Sequence, residues 1–222
     1  PDHPTTLINL DNLAVFHSSL GQYEKTLELQ RQVLSINKKV LGSDHPTTLI
    51  NLSNLAITHD SLAQHDKALE LHRLALEMRK KTLGLDHPHT ADSLSNIAAT
   101  YGHLAQYDKA LEVHLRALKI REKVFDSDHP SIALSLNNLG DTYSSLGQYE
   151  KALLQHRLAL EIRKKIYAPD HPDISAGLGN LAHTHNSLGQ YDKALELQRQ
   201  VVAINEKVFG PNHPSTALSL NN

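Results

Sequence analysis

The chain has 222 residues, 40% of them hydrophobic and 21% charged, and it contains no cysteine. This balance excludes a disordered chain, and the missing thiols exclude a disulfide framework or a cysteine metal site. Lys plus Arg is 22 against Asp plus Glu at 24, a net charge of −2, which provides no long-range attraction to nucleic acid or an acidic membrane.

No apolar run approaches the roughly 18 residues a membrane-spanning helix needs. The internal spacing is more informative. Asp-His-Pro begins at Asp2, Asp44, Asp86, Asp128 and Asp170 and returns as Asn-His-Pro at Asn212, a constant step of 42 residues. A fixed period of this size predicts stacked units, none of which buries a core alone. The units run over about 5–46, 47–88, 89–130, 131–172 and 173–214, with a partial sixth over 215–222. That incomplete unit leads us to expect an excerpt of a longer array.

Each unit predicts two helices. In the fourth, Leu136, Leu139, Gly140, Tyr143 and Leu146 follow a 3.6-residue period, which excludes strand alternation. Ala152, Leu153, His156, Ala159, Leu160 and Ile162 repeat the pattern after a break. Taken along the chain, the breaks fall at Gly21, Ala63, Ala105, Gly147 and Gly189, each followed by Gln. The second helices end in cations that suit the negative helix pole: Lys38-Lys39, Arg79-Lys80-Lys81 and Arg163-Lys164-Lys165. These cations predict a basic ridge along one edge, solvated in part through Glu77–Lys81 and Glu161–Lys165 pairs.

Leu94, Ile97, Ala98 and Tyr101, followed by Ala110 and Ala117, resemble the tetratricopeptide repeat. The 42-residue length, Asn96-Ile97-Ala98 and the Ala110–Lys123 stretch resemble its kinesin light chain-like and nephrocystin-like variety. The resemblance implies an all-α, right-handed superhelix of antiparallel helix pairs, used as a protein-interaction scaffold and not as an enzyme.

In such a solenoid the first helix of each pair lines the concave groove. Opposite its core face, one position holds Asn12, Asn54, Asn96, Asn138, Asn180 and Asn222. Asn is a mediocre helix former, but its amide can meet both groups of a peptide unit. Two readings stand: the column grips the main chain of an extended ligand, or it is structural, either copied along by duplication or bonded to the adjacent helix. Variable neighbours, among them Asp11, Asp60, Asp92, Asn137, Asp141, His103 and His183, would select side chains. The groove positions carry no Lys or Arg, unlike kinesin light chains and carboxylate-clamp repeats, so a neutral or mildly basic segment fits better than an acidic one.

The 16 histidines do not predict a metal. The linker histidines recur once per unit, about 8–10 Å or more apart, too far to share one ion at Zn–N distances near 2 Å. There Pro preorganises the helix start, and Asp or Asn is expected to satisfy its free amides. His72, His114 and His156, and likewise His17, His59 and His185, read as neutral packing histidines. Nucleophile, phosphate-loop and zincin motifs are absent, so no catalysis, cofactor or small-molecule substrate is expected. The expected partner is a protein or peptide, with nucleic acid disfavoured and no membrane insertion. The alternative is a structural, oligomerising or regulatory array in a larger protein, without a peptide ligand. In the partial sixth unit, Leu218 and Leu220 are expected to dock on the preceding helix, leaving some tendency toward end-to-end self-association. The absence of cysteine and of a signal peptide points to the cytoplasm.

Overall fold

The computed structural model describes residues 4–221, so Asp2 and His3 of the first triplet and Asn222 of the Asn column lie outside the described residues. The described residues form eleven helices and no strand. They pair as α1 (Pro4–Ser19) with α2 (Tyr23–Val40), α3 (Pro46–Ser61) with α4 (His65–Leu83), and α5 (Pro88–His103) with α6 (Tyr107–Val124). Then follow α7 (Pro130–Ser145) with α8 (Tyr149–Ile166), α9 (Pro172–Ser187) with α10 (Tyr191–Phe209), and α11 (Pro214–Asn221). Two compact units divide at Ile120/Arg121, inside α6.

Within each unit an odd-numbered helix packs between two even-numbered ones. In the first unit, Leu52 and Leu55 of α3 meet Leu27 and Leu34 of α2 and Ala75 of α4. Likewise, Leu94 and Ile97 of α5 meet Leu69 and Leu76 of α4 and Ala117 of α6. In the second unit, Ile174, Leu178 and Leu181 of α9 meet Leu160 of α8 and Val201 of α10. Burial of this apolar stripe is the main stabilising term, since isolated helices of 16 residues are marginal in water.

The linker triplet divides its work differently from the sequence expectation. Its histidine is the cap: Nδ1 of His45, His87, His129, His171 and His213 accepts the backbone N–H two residues on, at 3.1–3.2 Å. Accepting there places the ring proton on Nε2 and satisfies one of the free amides of the first turn. Proline takes the first helical position, where its missing N–H costs nothing. The aspartates face the following helix pair instead. Asp128 accepts from Lys165 at 2.7 Å and Asp170 from Lys207 at 2.6 Å. The Lys207 hydrogen bond holds the Asp170 carboxyl below the usual carboxylate range. Lys165 is thus committed to the linker rather than to Glu161, and Glu77 pairs with Lys80 at 2.7 Å rather than with Lys81.

The basic ridge is also smaller than expected, because the first cation of a cluster turns inward. Arg79 is buried and donates to the Ser93 hydroxyl and, at 3.3 Å, to the Leu49 carbonyl. Burial lowers its guanidinium, with Asp92 opposing. Arg121 donates to Ser135 at 2.6 Å in the same register, and Asn37 donates to Asn51 at 2.6 Å. In three helix pairs, a buried polar side chain therefore reaches the following odd-numbered helix 14 residues on, whereas Arg163, in the same register on α8, keeps a buried Nη1 without a hydrogen-bond partner among the described residues. Paired in this way, the groups avoid the desolvation penalty an unpartnered buried donor carries.

The helix-to-helix turns use left-handed residues at the expected breaks, Gly147 at φ 69° and, without glycine, Ala63 and Ala105 at φ 55°. His17, His59 and His185 bridge these turns through Nδ1 to Gln22, Gln64 and Gln190 at 2.7–2.9 Å. They are hydrogen-bonded packing groups, as their helix position suggests.

Helix α11 packs on α10, but not through its leucines. Thr216 and Ser219 face inward, and Gln198 Nε2 donates to the Ser219 carbonyl at 2.6 Å, while Leu218 and Leu220 are each 63% exposed. The expected leucine docking is corrected: helix α11 docks on α10, but Leu218 and Leu220 stay on its exposed side, although Leu220 aligns with the buried Leu178 and Leu136 of earlier pairs.

Candidate functional site

The odd-numbered helices separate their two faces sharply. In α3, Leu49, Leu52, Leu55 and Ala56 are buried, whereas Ile50, Asn54 and Ile57 are exposed. Exposed Ile8 and Val15 flank Asn12 in the same phase on α1. In the second unit, Leu134 and Asp141 flank Asn138 on α7, and Ala176 and His183 flank Asn180 on α9. Asn12 and Asn54 are exposed, and Asn96, Asn138 and Asn180 are half-buried. The five apolar residues Ile8, Val15, Ile50, Ile57 and Leu134 lie 47–61% open beside the amides. That is an amphipathic surface suited to side chains as well as main chain.

The structure distributes the expected site residues among three environments. Asn12, Asn54, Asn96 and Asn138 have no side-chain partner among the described residues, and the exposed His183 lies on the same face. Asn137, Asp141 and Asn180 are instead joined. Asn180 Nδ2 donates to Asn137 Oδ1 at 2.6 Å, and Asn137 Nδ2 donates to Asp141 Oδ2 at 3.0 Å. His156 extends this network to Asp141 at 3.2 Å and to the Thr184 hydroxyl at 3.0 Å. Asn180 therefore bonds an adjacent helix, the second reading of the column. Finally, Asp11 receives a long 3.5 Å hydrogen bond from Asn51, and Asp92 lies 3.1 Å from His89. Burial raises the Asp11 carboxyl, with Asn51 opposing.

One cluster escaped sequence reasoning. An open cavity of about 540 Å³ in the first unit is lined by Ile57, Asp60, His65, His72, Asn96 and His103, among others. Asp60 Oδ1 is 2.9 Å from His65 Nδ1 and 3.7 Å from His103 Nδ1, and Thr100 donates its hydroxyl to Asp60 Oδ2. Asp60 and His103 were expected on this face, but His65 and His72 belong to α4, and only packing brings them beside α3 and α5.

His72 is 1% exposed, and neither ring nitrogen has a hydrogen-bond partner. Burial pushes its imidazole pKa from 6.5 down to about 4, the Asp60 carboxylate opposing and the Arg79 guanidinium adding to the fall. The ring is neutral in the fold, while in the unfolded chain it charges below about 6.5. Its contribution is thus complete above pH 6.5 and disappears as the pH falls toward about 4. In metal-free buffer, chemical denaturation should show a loss of about 2 kcal/mol at pH 5 relative to pH 7.5, and the variant H72F should lose less over the same interval.

Tetratricopeptide repeat family models match residues 5–81, 62–123 and 89–165, and a further one matches residues 176–215. No curated protein matches. Among solved structures, the nearly identical TPR-like repeats of a Podosopora anserina protein described as a kinesin light chain are 31% identical, with a TM-score of 0.73 over 93% of this chain and 98% of that one. BtubC (BKLC) from P. vanneervenii is 24% identical, with a TM-score of 0.76 over 92% of this chain and 81% of that one, a likeness of fold. The apo form of RapI is 20% identical, with a TM-score of 0.72 over 91% and 71%, again a likeness of fold alone. Among the described residues, no helix is long and apolar enough to cross a membrane. The chain belongs to the tetratricopeptide repeat family, in its kinesin light chain-like form, a fold typical of protein–protein interaction scaffolds.

Proposed function

We propose that the face of the first unit that carries Asn12, Asn54 and Asn96 binds an extended peptide segment. The observation supporting this reading is the coincidence, on α1 and α3, of unpartnered amides with exposed isoleucine and valine. Amides without intramolecular partners can exchange water for a peptide N–H and C=O, and the aliphatic neighbours can cover ligand side chains. Three odd-numbered helices about 10 Å apart present a path of about 20 Å, the length of about six extended residues. Asp11, Asp60 and Asp92 border this path, so the preferred segment is apolar with a neutral or basic flank.

Peptide-display selection on the whole chain should enrich such segments and deplete Asp and Glu. Changing both Asn54 and Asn96 to Ala should weaken a selected peptide about tenfold or more, with the fold unchanged by circular dichroism. Enrichment of nothing, or equal binding by the double variant, would remove this reading and leave a spacer array.

A further inference from the structure

We propose that Asp60, His65 and His103 form a binding site for one zinc-type divalent transition-metal ion. The three donor atoms all lie within 4.8 Å of one another. In a tetrahedral site with bonds of about 2.1 Å, neighbouring ligand atoms stand about 3.4 Å apart. The distances from Asp60 Oδ1, 2.9 Å to His65 Nδ1 and 3.7 Å to His103 Nδ1, lie on either side of that value. Small side-chain rotations of His103, which is 55% exposed, and of His65, which is 21% exposed, can bring both to it. The carboxylate is already oriented, because the Thr100 hydroxyl holds Oδ2 and leaves Oδ1 facing the two rings. A partner of this kind on a ligand's far atom is the usual outer-shell arrangement of metal sites.

His72 supplies an independent observation. It lines the same cavity, it is buried, both ring nitrogens lack partners, and its Nε2 lies 3.8 Å from Asp60 Oδ2. An unsatisfied buried ring is costly, and a nearby cation gives it a role. Two nitrogens and one oxygen, with a further position open to the cavity, suit Zn²⁺ or Co²⁺. Ca²⁺ and Mg²⁺ require more oxygen ligands. The linker histidines cannot substitute, since each uses Nδ1 to cap a helix. The site joins α3, α4 and α5, so metal binding couples two helix pairs. It stands independently of the peptide reading.

The test uses the tag-free whole chain after chelator treatment. Co²⁺ should develop tetrahedral visible absorption at one equivalent, Zn²⁺ should displace it, and Zn²⁺ should raise the melting midpoint. H103A, at an exposed position, should fold normally and lose at least tenfold in affinity for both metals, and D60N should lose more. H89A, elsewhere on α5, should bind as the parent does, and excess Ca²⁺ should not compete. The proposal is overturned if the parent chain develops no absorption up to millimolar Co²⁺, or if H103A and H65A both bind with parental affinity.

Discussion

Replacing Gly140 by alanine is expected to destabilise the second unit by about 2 kcal/mol, although Gly to Ala inside a helix ordinarily stabilises by up to about 1 kcal/mol. A Cβ built on Gly140 would stand 2.2 Å from His156 Cδ2 and Nε2, far inside contact distance. The ring cannot simply move away: it is buried against α7 and held by Thr184 at 3.0 Å and Asp141 at 3.2 Å. Accommodating the methyl group requires breaking those hydrogen bonds or shifting α7 relative to α8. The equivalent residues of the other pairs are Ala14, Ala56, Ala98 and Ala182, and Ala56 and Ala98 stand in register with His72 and His114, so the conflict at Gly140 comes from where Asp141 and Thr184 hold the His156 ring and not from a histidine at that position as such. Urea denaturation of G140A, H156A and the double variant tests this directly. G140A should be strongly unfavourable in the parent background and neutral or favourable with H156A, a coupling of about 2 kcal/mol. A parental or higher midpoint for G140A alone would sink the explanation.

The second large effect separates stability from ligand contact within one helix. Leu52→Ala should cost about 3 kcal/mol, because Leu52 is 2% exposed and its removal leaves a cavity among Leu27, Leu34, Leu55 and Ala75. Ile50, two residues earlier, is 50% exposed, and Ile50→Ala should change stability by less than about 0.5 kcal/mol. If the face of α3 binds peptide, I50A should instead weaken a selected peptide severalfold. Equal destabilisation by the two variants, measured by thermal and urea unfolding, would show that Ile50 belongs to the core and remove it from the proposed contact surface.

Much of the architecture was legible without coordinates. The 3.6-residue pattern of Leu136, Leu139, Gly140 and Tyr143, the breaks at Ala63 and Gly147, and the 42-residue step all follow from local backbone and burial rules, although the left-handed conformation of Ala63 does not. So did the solvent-facing phase of Asn54 and Asn96, because a helix fixes which side chains share a face.

The roles of polar residues were less legible. The linker aspartate was expected to cap the helix, yet capping depends on which side chain lies nearest the free amide, and there the histidine ring wins. Arg79 and Lys80 look alike in a basic run, but one helical step turns the first to Ser93 and leaves the second at the surface with Glu77. Asn138 and Asn180 occupy the same repeat position, and only Asn180 finds a neighbour, since Asn137 sits within its reach.

The sequence by itself determined the all-helical repeat, its period, its turns and the outward face of the Asn column, because these depend on periodicity and local conformation. Tertiary packing alone decided which polar groups become buried pins between helix pairs, and it alone brought Asp60, His65, His72 and His103 together from three helices. The physical reason is that hydrogen bonds and ligand sets form between atoms a few ångströms apart in space. Repeat spacing records only which helix face each residue occupies, not which neighbour it meets there.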